Sequence, residues 1–321
     1  MPASNVLAVD LGGTKIAIAL INRYGKLTER KSVSVDAASP LSPVQQIVSL
    51  ATELAASQPI ARTIAAVGVA VPGLVRPNGT VWAPNLPGWG KMPLARHLKA
   101  ALRVPVVVES DRNASVLGEA WRGAARGKTD AIVLMLGTGI GAGILSGGRL
   151  IRGAHELSGC AGWMVVADSY DDYARRVGQL ESLVAGPAIA VDAKKELARG
   201  IGGLLEEIPV DSINAYEIAE AARRGDVLSI EVFLEAGRIL GYGVANLVSL
   251  FDPEIVVIGG GLARASDLFL PALRKSVHER AQPISAKQVR IVTSGLGGDA
   301  NLLGVARLAW DLHEKPQARQ K

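Results

Sequence analysis

The chain has 321 residues, of which 49% are apolar, 20% charged and 4% aromatic, and its formal net charge is +5. That is enough apolar material for a buried core in about two domains, which excludes disorder as the main state. The apolar runs, such as Ala131 to Leu136, are too short to cross a bilayer, and the scattered basic residues form no stripe that would meet a nucleic acid, so neither partner is expected.

Met1-Pro2-Ala3-Ser4-Asn5 carries no secretory pattern, so a cytoplasmic setting is expected. Residues 6–21 then read as strand, glycine turn, strand, because β-branched and apolar residues flank a turn too short for a helical crossover. A helix is expected near 42–57, with Ser42, Pro43 and Gln45 as N-cap, first-turn proline and third capping-box position. Val44, Ile47, Val48, Ala51 and Leu54 recur at helical spacing. Ala65 to Val71 reads as a buried strand ending at Pro72-Gly73. Leu94, Leu98 and Leu102 mark a helix, Val104 to Val108 a strand, and Ala114, Leu117, Ala120 and Trp121 the next helix. This alternation is that of an α/β protein.

A second strand–glycine–strand unit occupies 131–150. Leu136-Gly137-Thr138-Gly139 aligns with Leu11-Gly12-Gly13-Thr14 together with the strands on both sides, a weak internal repeat that implies two domains on one plan. A long helical region near 227–250, a strand Ile255 to Ile258, a Gly259-Gly260-Gly261 turn and a helix near 302–313 complete the chain. The polar stretch from Glu314 to Lys321 is expected to fray.

Several of these turns carry chemistry. In Asp10-Leu11-Gly12-Gly13-Thr14-Lys15, glycine backbone amides can approach phosphate oxygens, Thr14 adds a hydroxyl, and Asp10 can hold magnesium through water; a plain hairpin is the competing reading. Gly137-Thr138-Gly139-Ile140-Gly141-Ala142 spells a dinucleotide fingerprint, but that fingerprint requires a helix next, and Gly143 to Leu150 reads as strand and turn. Gly123 to Thr129 falls one residue short of a Walker loop and reads as a loop. Asp111 sits between a strand and a helix, where a carboxylate can act as general base or as a helix cap. Asn85, in Asn85-Leu86-Pro87-Gly88-Trp89, offers an amide suited to sugar hydroxyls or sits on a surface loop. Gly237 and Gly241, one turn apart, suit close helix packing. His97, His278 and His313 read as surface residues on helices, and His155, in a loop, as a weak ligand candidate.

Taken in order, these motifs resemble those of the ROK family of sugar kinases, within the actin-like, hexokinase-like ATPase superfamily. The resemblance covers nearly the whole chain. It rests on Asp10-Leu-Gly-Gly-Thr-Lys15, Gly68-Val-Ala-Val-Pro-Gly73, Asn85-Leu-Pro-Gly-Trp89, Asp111-Arg-Asn113 with Leu117-Gly-Glu119, Leu136-Gly-Thr-Gly-Ile-Gly141, Ile258-Gly-Gly-Gly-Leu262 and Leu303-Gly-Val-Ala306. It implies an α/β, two-domain actin-like (ribonuclease H-like) fold, each domain a mixed sheet flanked by helices. A small domain over 1–114, completed by a C-terminal helix at about 302–321, would precede a large one over 115–301. It further implies phosphoryl transfer from ATP with Mg2+ to a sugar hydroxyl, in a homodimer. Gly12, Gly13, Thr14, Lys15, Gly137, Thr138 and Gly139 would bind the ATP phosphates, and Gly260 and Gly261 would lie against adenosine. Asp10 would hold magnesium and Asp111 would be the general base. Asn85, Ser110, Asp111, Cys160, Trp163 and Glu181 would face the sugar.

The chain also departs from the family. The Gly-Glu-Ile-Gly-His segment appears as Gly159-Cys160-Ala161-Gly162-Trp163, so Cys160 replaces a glutamate and Trp163 a histidine. Ser110 replaces the first asparagine of Asn-Asp-x-Asn. Gln179 stands where a zinc-loop cysteine would, and Asp168 to Arg176 has neither thiol nor imidazole, so no zinc is expected. The sugar pocket is therefore less polar than in the family, which points to a deoxy, acylated-amino or cyclitol-like acceptor. Cys160 reads as a buried small residue rather than a nucleophile. A non-catalytic sugar sensor is the alternative. The chain reaches Asp10 within its first strand, so the DNA-binding helix-turn-helix of the family's repressors is not expected ahead of it.

Overall fold

The computed structural model describes residues 5–56 and 64–314. The last position of the helix expected near 42–57, the N-terminal residues 1–4 and all but the first residue of the polar C-terminal stretch lie outside the described residues. The chain divides into two compact units. One comprises Met1–Gly127, Arg152–Leu157 and Gly298–Lys321; the other comprises Lys128–Ile151 and Ser158–Gly297. The first unit thus runs past residue 114, and the chain returns to it for a short stretch at 152–157.

In the first unit, β1 (Asn5–Leu11), β2 (Lys15–Asn22), β3 (Leu27–Ser34), β4 (Ile64–Val71) and β7 (Val106–Ser110) form a sheet in the order β3-β2-β1-β4-β7. A small ribbon, β5 (Leu74–Val75) with β6 (Val81–Trp82), stands apart from it. β1 is antiparallel to β2 and parallel to β4, which is parallel to β7. β1 is apolar nearly throughout because helices cover both faces of the sheet. Leu7, Val9 and Leu11 join a core with Ile47 and Leu54 of α1 (Ser42–Ala56) and Leu98 of α2 (Leu94–Leu102). α11 (Ala300–Glu314) packs on β1 and β4 and crosses α3 (Asp111–Arg122).

That crossing explains two motif glycines. A Cβ on Gly304 would stand 1.8 Å from the Ala114 carbonyl oxygen, and one on Gly118 would stand 2.0 Å from that of Ala300. The helices touch backbone to backbone, and only glycine leaves room.

Two local expectations are corrected. Ser42 is not a cap: the Gln45 amide donates to the Leu41 carbonyl at 3.0 Å, so the helical turn begins earlier, and the Ser42 hydroxyl accepts from Ser39 N at 3.2 Å. β7 runs to Ser110 rather than ending at Val108, because its pairing with β4 continues through Ala70↔Glu109 and Val71↔Ser110. His97 is half-buried on α2, whereas His155, His278 and His313 are exposed.

The second unit repeats the plan. β8 (Ala131–Leu136), β9 (Ile140–Ser146), β10 (Arg149–Leu150), β11 (Ile255–Gly259) and β12 (Arg290–Thr293) take the order β10-β9-β8-β11-β12. Two antiparallel pairs again precede two parallel ones. The helices are α4 (Asp172–Val177), α5 (Gln179–Val184), α6 (Gly186–Ala198), α7 (Ala215–Arg223), α8 (Val227–Phe251), α9 (Ser266–Arg280) and α10 (Pro283–Gln288). Gly237 and Gly241 let α8 meet α9: added Cβ atoms would lie 2.4 Å from the Phe269 carbonyl oxygen and 2.5 Å from Ser276 Cβ. β9 begins directly after the 137–139 turn, so the helix that a dinucleotide fingerprint needs is missing and that alternative falls.

Because overpacking a close helix crossing costs about 1–3 kcal/mol, Gly304→Ala is expected to lower the urea unfolding midpoint clearly. An unchanged midpoint would show that α3 and α11 can separate without cost.

Candidate functional site

In the first unit the polar groups gather at the carboxyl ends of the parallel strands. Gly12 N donates to Lys15 O at 2.9 Å to close the β1–β2 turn, and Gly13, Thr14 and Lys15 are exposed on it. A Cβ on Gly13 would lie 3.6 Å from Asn85 Cβ, so the turn and Asn85 are neighbours. Asn85 is exposed, while Trp89 of the same segment is core and donates Nε1 to Pro40 O at 2.9 Å. The indole anchors the segment and leaves the amide at the surface.

Asp10, near the end of β1, accepts from Asn301 Nδ2 of α11 at 3.1 Å. Burial pushes its carboxyl up to about 6; the Asn301 hydrogen bond opposes this, and the nearby Asp111 charge reinforces it. The Asn301 Oδ1 is buried without a hydrogen-bond partner among the described residues. Asp111 opens α3 but is not its cap; Ser110 is, accepting from Asn113 N at 3.4 Å. Asp111 Oδ1 accepts from Arg112 N at 2.8 Å. Burial raises the Asp111 carboxyl above the usual carboxylate range, against the pull of the Arg112 charge. Beneath the turn, Glu109 accepts from Ser110 N and Asn113 Nδ2, each at 2.9 Å, and pairs with Arg152 at 2.5 Å. Glu109, Arg152 and Asn301 are not legible as site residues in the sequence. The one cue is a glutamate placed directly after an apolar run and two residues before Asp111.

In the second unit, Gly137 N donates to Gly139 O at 3.0 Å, and Gly137 O accepts from Gly186 N at 2.9 Å. Thr138 is exposed on this turn. Glu181 Oε2 accepts from Ile140 N at 2.7 Å and would stand 2.9 Å from a Cβ on Gly139. Burial raises the Glu181 carboxyl, with the Ile140 amide pulling it back. Gly137 and Thr138 also line a cavity of about 580 Å3, together with Pro187, Ala215, Gly261 and Leu262. Gly260 does not line it. With φ +84° and Leu136 O 2.2 Å from an added Cβ, Gly260 is the bend that sets the short 3-10 helix Gly261–Ala265 beside β8.

The altered segment folds as a 3-10 turn over Ala161–Trp163. Cys160 is partly buried rather than enclosed, Trp163 is 52% exposed, and Gly162 packs on Glu181. Gln179 is fully buried. Its Oε1 accepts from Val166 N at 2.6 Å and Ala167 N at 2.9 Å, and its Nε2 donates to Ala167 O at 2.8 Å and to Ser169 O. Both ends of the amide are spent on backbone, which does not suit a zinc ligand. Among the described residues, no three His, Cys, Asp or Glu side chains gather to hold a metal ion. Lys128, in the Walker-like loop, is paired with Glu254 at 2.7 Å. Among the described residues no helix is long and apolar enough to cross a membrane.

Between pH 3.8, the ordinary value for an aspartate, and about 6, the folded chain holds on Asp10 a proton that the unfolded chain lacks, so this group's contribution to stability falls as pH rises through that window. Asp10→Asn should therefore stabilise the ligand-free protein at pH 7, by up to about 3 kcal/mol, with the gain fading towards pH 4; an equal gain at both pH values would refute the assignment. Gln179→Ala strips four hydrogen bonds from the 166–169 backbone and is expected to cost about 1–3 kcal/mol in denaturant unfolding.

Known proteins share this fold. The glucokinase of Streptomyces coelicolor is 33% identical over 94% of this chain and 96% of its own. A putative xylose repressor of Caldicellulosiruptor sp. is 31% identical over 93% of this chain and 76% of its own. The crystal structure of a ROK family glucokinase from Streptomyces griseus in complex with glucose and AMPPNP superposes with a TM-score of 0.78, at 32% identity, over 96% of this chain and all of that one. The two similar mixed sheets flanked by helices are those of the actin-like ATPase fold. A model of the ROK family matches residues 6–311, and the chain belongs to that family.

Proposed function

We propose that this protein is a carbohydrate kinase that transfers the terminal phosphoryl group of ATP to a hydroxyl of a sugar or sugar-like acceptor. The observation that carries the reading is Asp111: a carboxylate largely withdrawn from water at the carboxyl end of a parallel strand, with its pKa raised by burial. A base so tuned sits closer to neutral pH, where proton abstraction is efficient. Glucokinase relatives support the same class of reaction.

In this reading Asp111 accepts the proton of the attacking hydroxyl, and the Glu109–Ser110–Asn113 hydrogen bonds hold the base in place. The Gly12, Gly13, Thr14 and Lys15 turn and the Gly137, Thr138 and Gly139 turn bind phosphate oxygens. Gly261 faces the nucleoside, with Gly260 shaping the turn behind it. Asp10 would hold the magnesium ion. A desolvated carboxylate with a raised pKa, beside the unpartnered Asn301 Oδ1, suits an added cation. Magnesium, when bound, neutralises phosphate charge. No zinc is part of the reading, because Gln179 occupies the loop position.

Asn85, Ser110, Cys160, Trp163 and Glu181 are assigned to the acceptor. The acceptor is a hexose, a modified hexose or a cyclitol, and an indole and a thiol in place of an imidazole and a carboxylate favour a form with fewer free hydroxyls, such as a deoxy or acylated-amino sugar. A homodimer belongs to the same reading on the resemblance alone, and a cytoplasmic setting on the sequence pattern. A second reading, a sugar sensor, is favoured by the altered Cys160–Trp163 segment and by the repressor relative.

ATP turnover across hexoses, aminosugars, acylated aminosugars and cyclitols separates the two. Asp111→Asn is expected to cut transfer by about a hundred- to ten-thousand-fold while nucleotide still binds. ATP binding with no turnover on any acceptor would favour the sensor.

A further inference from the structure

The cavity of the second unit draws its walls from separate elements. α7 supplies Ala215 and Ala219, and the short 3-10 helix Gly261–Ala265 supplies Gly261 and Leu262. α6, which supplies Pro187, is pinned at its start by Gly186 N donating to Gly137 O at 2.9 Å. α7 has less apolar packing to hold it. It has 9 residues, its buried side chains are Ile218 and three alanines, and its Tyr216 is 66% exposed. Alanines bury little area, and so short a helix depends on tertiary contacts to persist.

One side chain ties α7 to the 261–265 segment. Arg223, in the last turn of α7, donates Nε and Nη2 to the two carboxylate oxygens of Asp267 at 3.1 and 2.9 Å. Nη2 also donates to Arg264 O at 2.8 Å, and Nη1 to Glu220 at 2.7 Å. Asp267 lies in the first turn of α9. A cation near a helix C-terminus and an anion near a helix N-terminus are both favoured by the helix dipole, so the pair suits both ends it joins. Exposed ion pairs commonly contribute little. A guanidinium fork on both oxygens of one carboxylate, with a backbone carbonyl as a further partner, is the stronger geometry. Arg223 lines the cavity, whereas Asp267 and Glu220 stand behind its wall.

We infer that Asp267, acting through Arg223, is a positioning residue for the nucleotide: the clasp fixes α7 against the 261–265 segment and so sets the width of the cavity that receives the nucleoside. The inference rests on the reading of this cavity as the nucleotide site. A nucleoside gains full contact with both walls when their spacing is set before it arrives. Walls that have to be ordered on binding subtract that cost from the affinity. Breaking the clasp from behind therefore weakens nucleotide binding, although no group lining the cavity has been replaced.

Calorimetric titration of the full chain with magnesium ADP tests this without requiring turnover, with circular dichroism confirming the fold of each variant at the titration temperature. Asp267→Ala, and the milder Asp267→Asn, are expected to weaken binding by about tenfold. Asp267→Glu, which keeps the carboxylate, is expected to restore most of the loss. Wild-type affinity in both Asp267→Ala and Asp267→Asn overturns the inference and leaves the nucleotide reading intact. So does a loss confined to Arg223→Ala, which would mean that the guanidinium meets the nucleotide directly. Failure of the unaltered chain to bind magnesium ADP overturns the nucleotide reading and the inference with it. On any acceptor that is turned over, the KM for ATP rises in Asp267→Ala while the KM for the acceptor does not. A parallel rise in both would mark general loosening and overturn the clasp.

Discussion

Two carboxylates held largely out of water at the carboxyl ends of parallel strands govern the first unit. Asp10 is the penultimate residue of β1 and Asp111 follows β7, with β4 between these strands. Each carboxyl is raised by burial, and Asp111 pushes Asp10 further. Charged together and without a counter-ion, they work against the fold. The supporting hydrogen bonds do not remove that cost. Asn301 steadies Asp10, and Glu109 clamps the turn that carries Asp111, yet both groups stay poised to gain from a cation or to take a proton. Local instability of this kind is expected where chemistry is done rather than where a core is built.

The glycines work by a different constraint. Some mark places where another backbone already fills the space a Cβ would need: Gly118 and Gly304 between α3 and α11, and Gly260 against β8. Gly137 has open space around an added Cβ, and Gly12 and Gly13 meet nothing closer than 3.3 Å. At Gly13 and Gly137 packing does not demand the lack of a side chain, whereas an added Cβ on Gly12 would crowd the Lys15 carbonyl that closes its own turn.

The most altered part of the family pattern remains ordered. Gln179 joins the 166–169 backbone through both ends of one amide. Glu181, two residues on, is thereby set against the Gly139 turn and Gly162. Cys160 and the half-exposed Trp163 lie on the short 3-10 turn whose Gly162 packs on Glu181.

The sequence by itself determined the two strand–glycine–strand units, the alternation of strands and helices, and the positions of Asp10, Asp111 and both glycine turns. Each is written in a short window, as an apolar run fully buried in a sheet or a glycine turn. The repeat of leucine–glycine motifs carried the common plan of the two sheets. Only the tertiary structure decided that Asn301 reaches Asp10, that Arg152 returns to pair with Glu109, and that Ser110 rather than Asp111 caps α3. These join residues far apart along the chain, or turn on which of several adequate donors lies nearest. No local period encodes such choices, because they are made by the packing of one element on another.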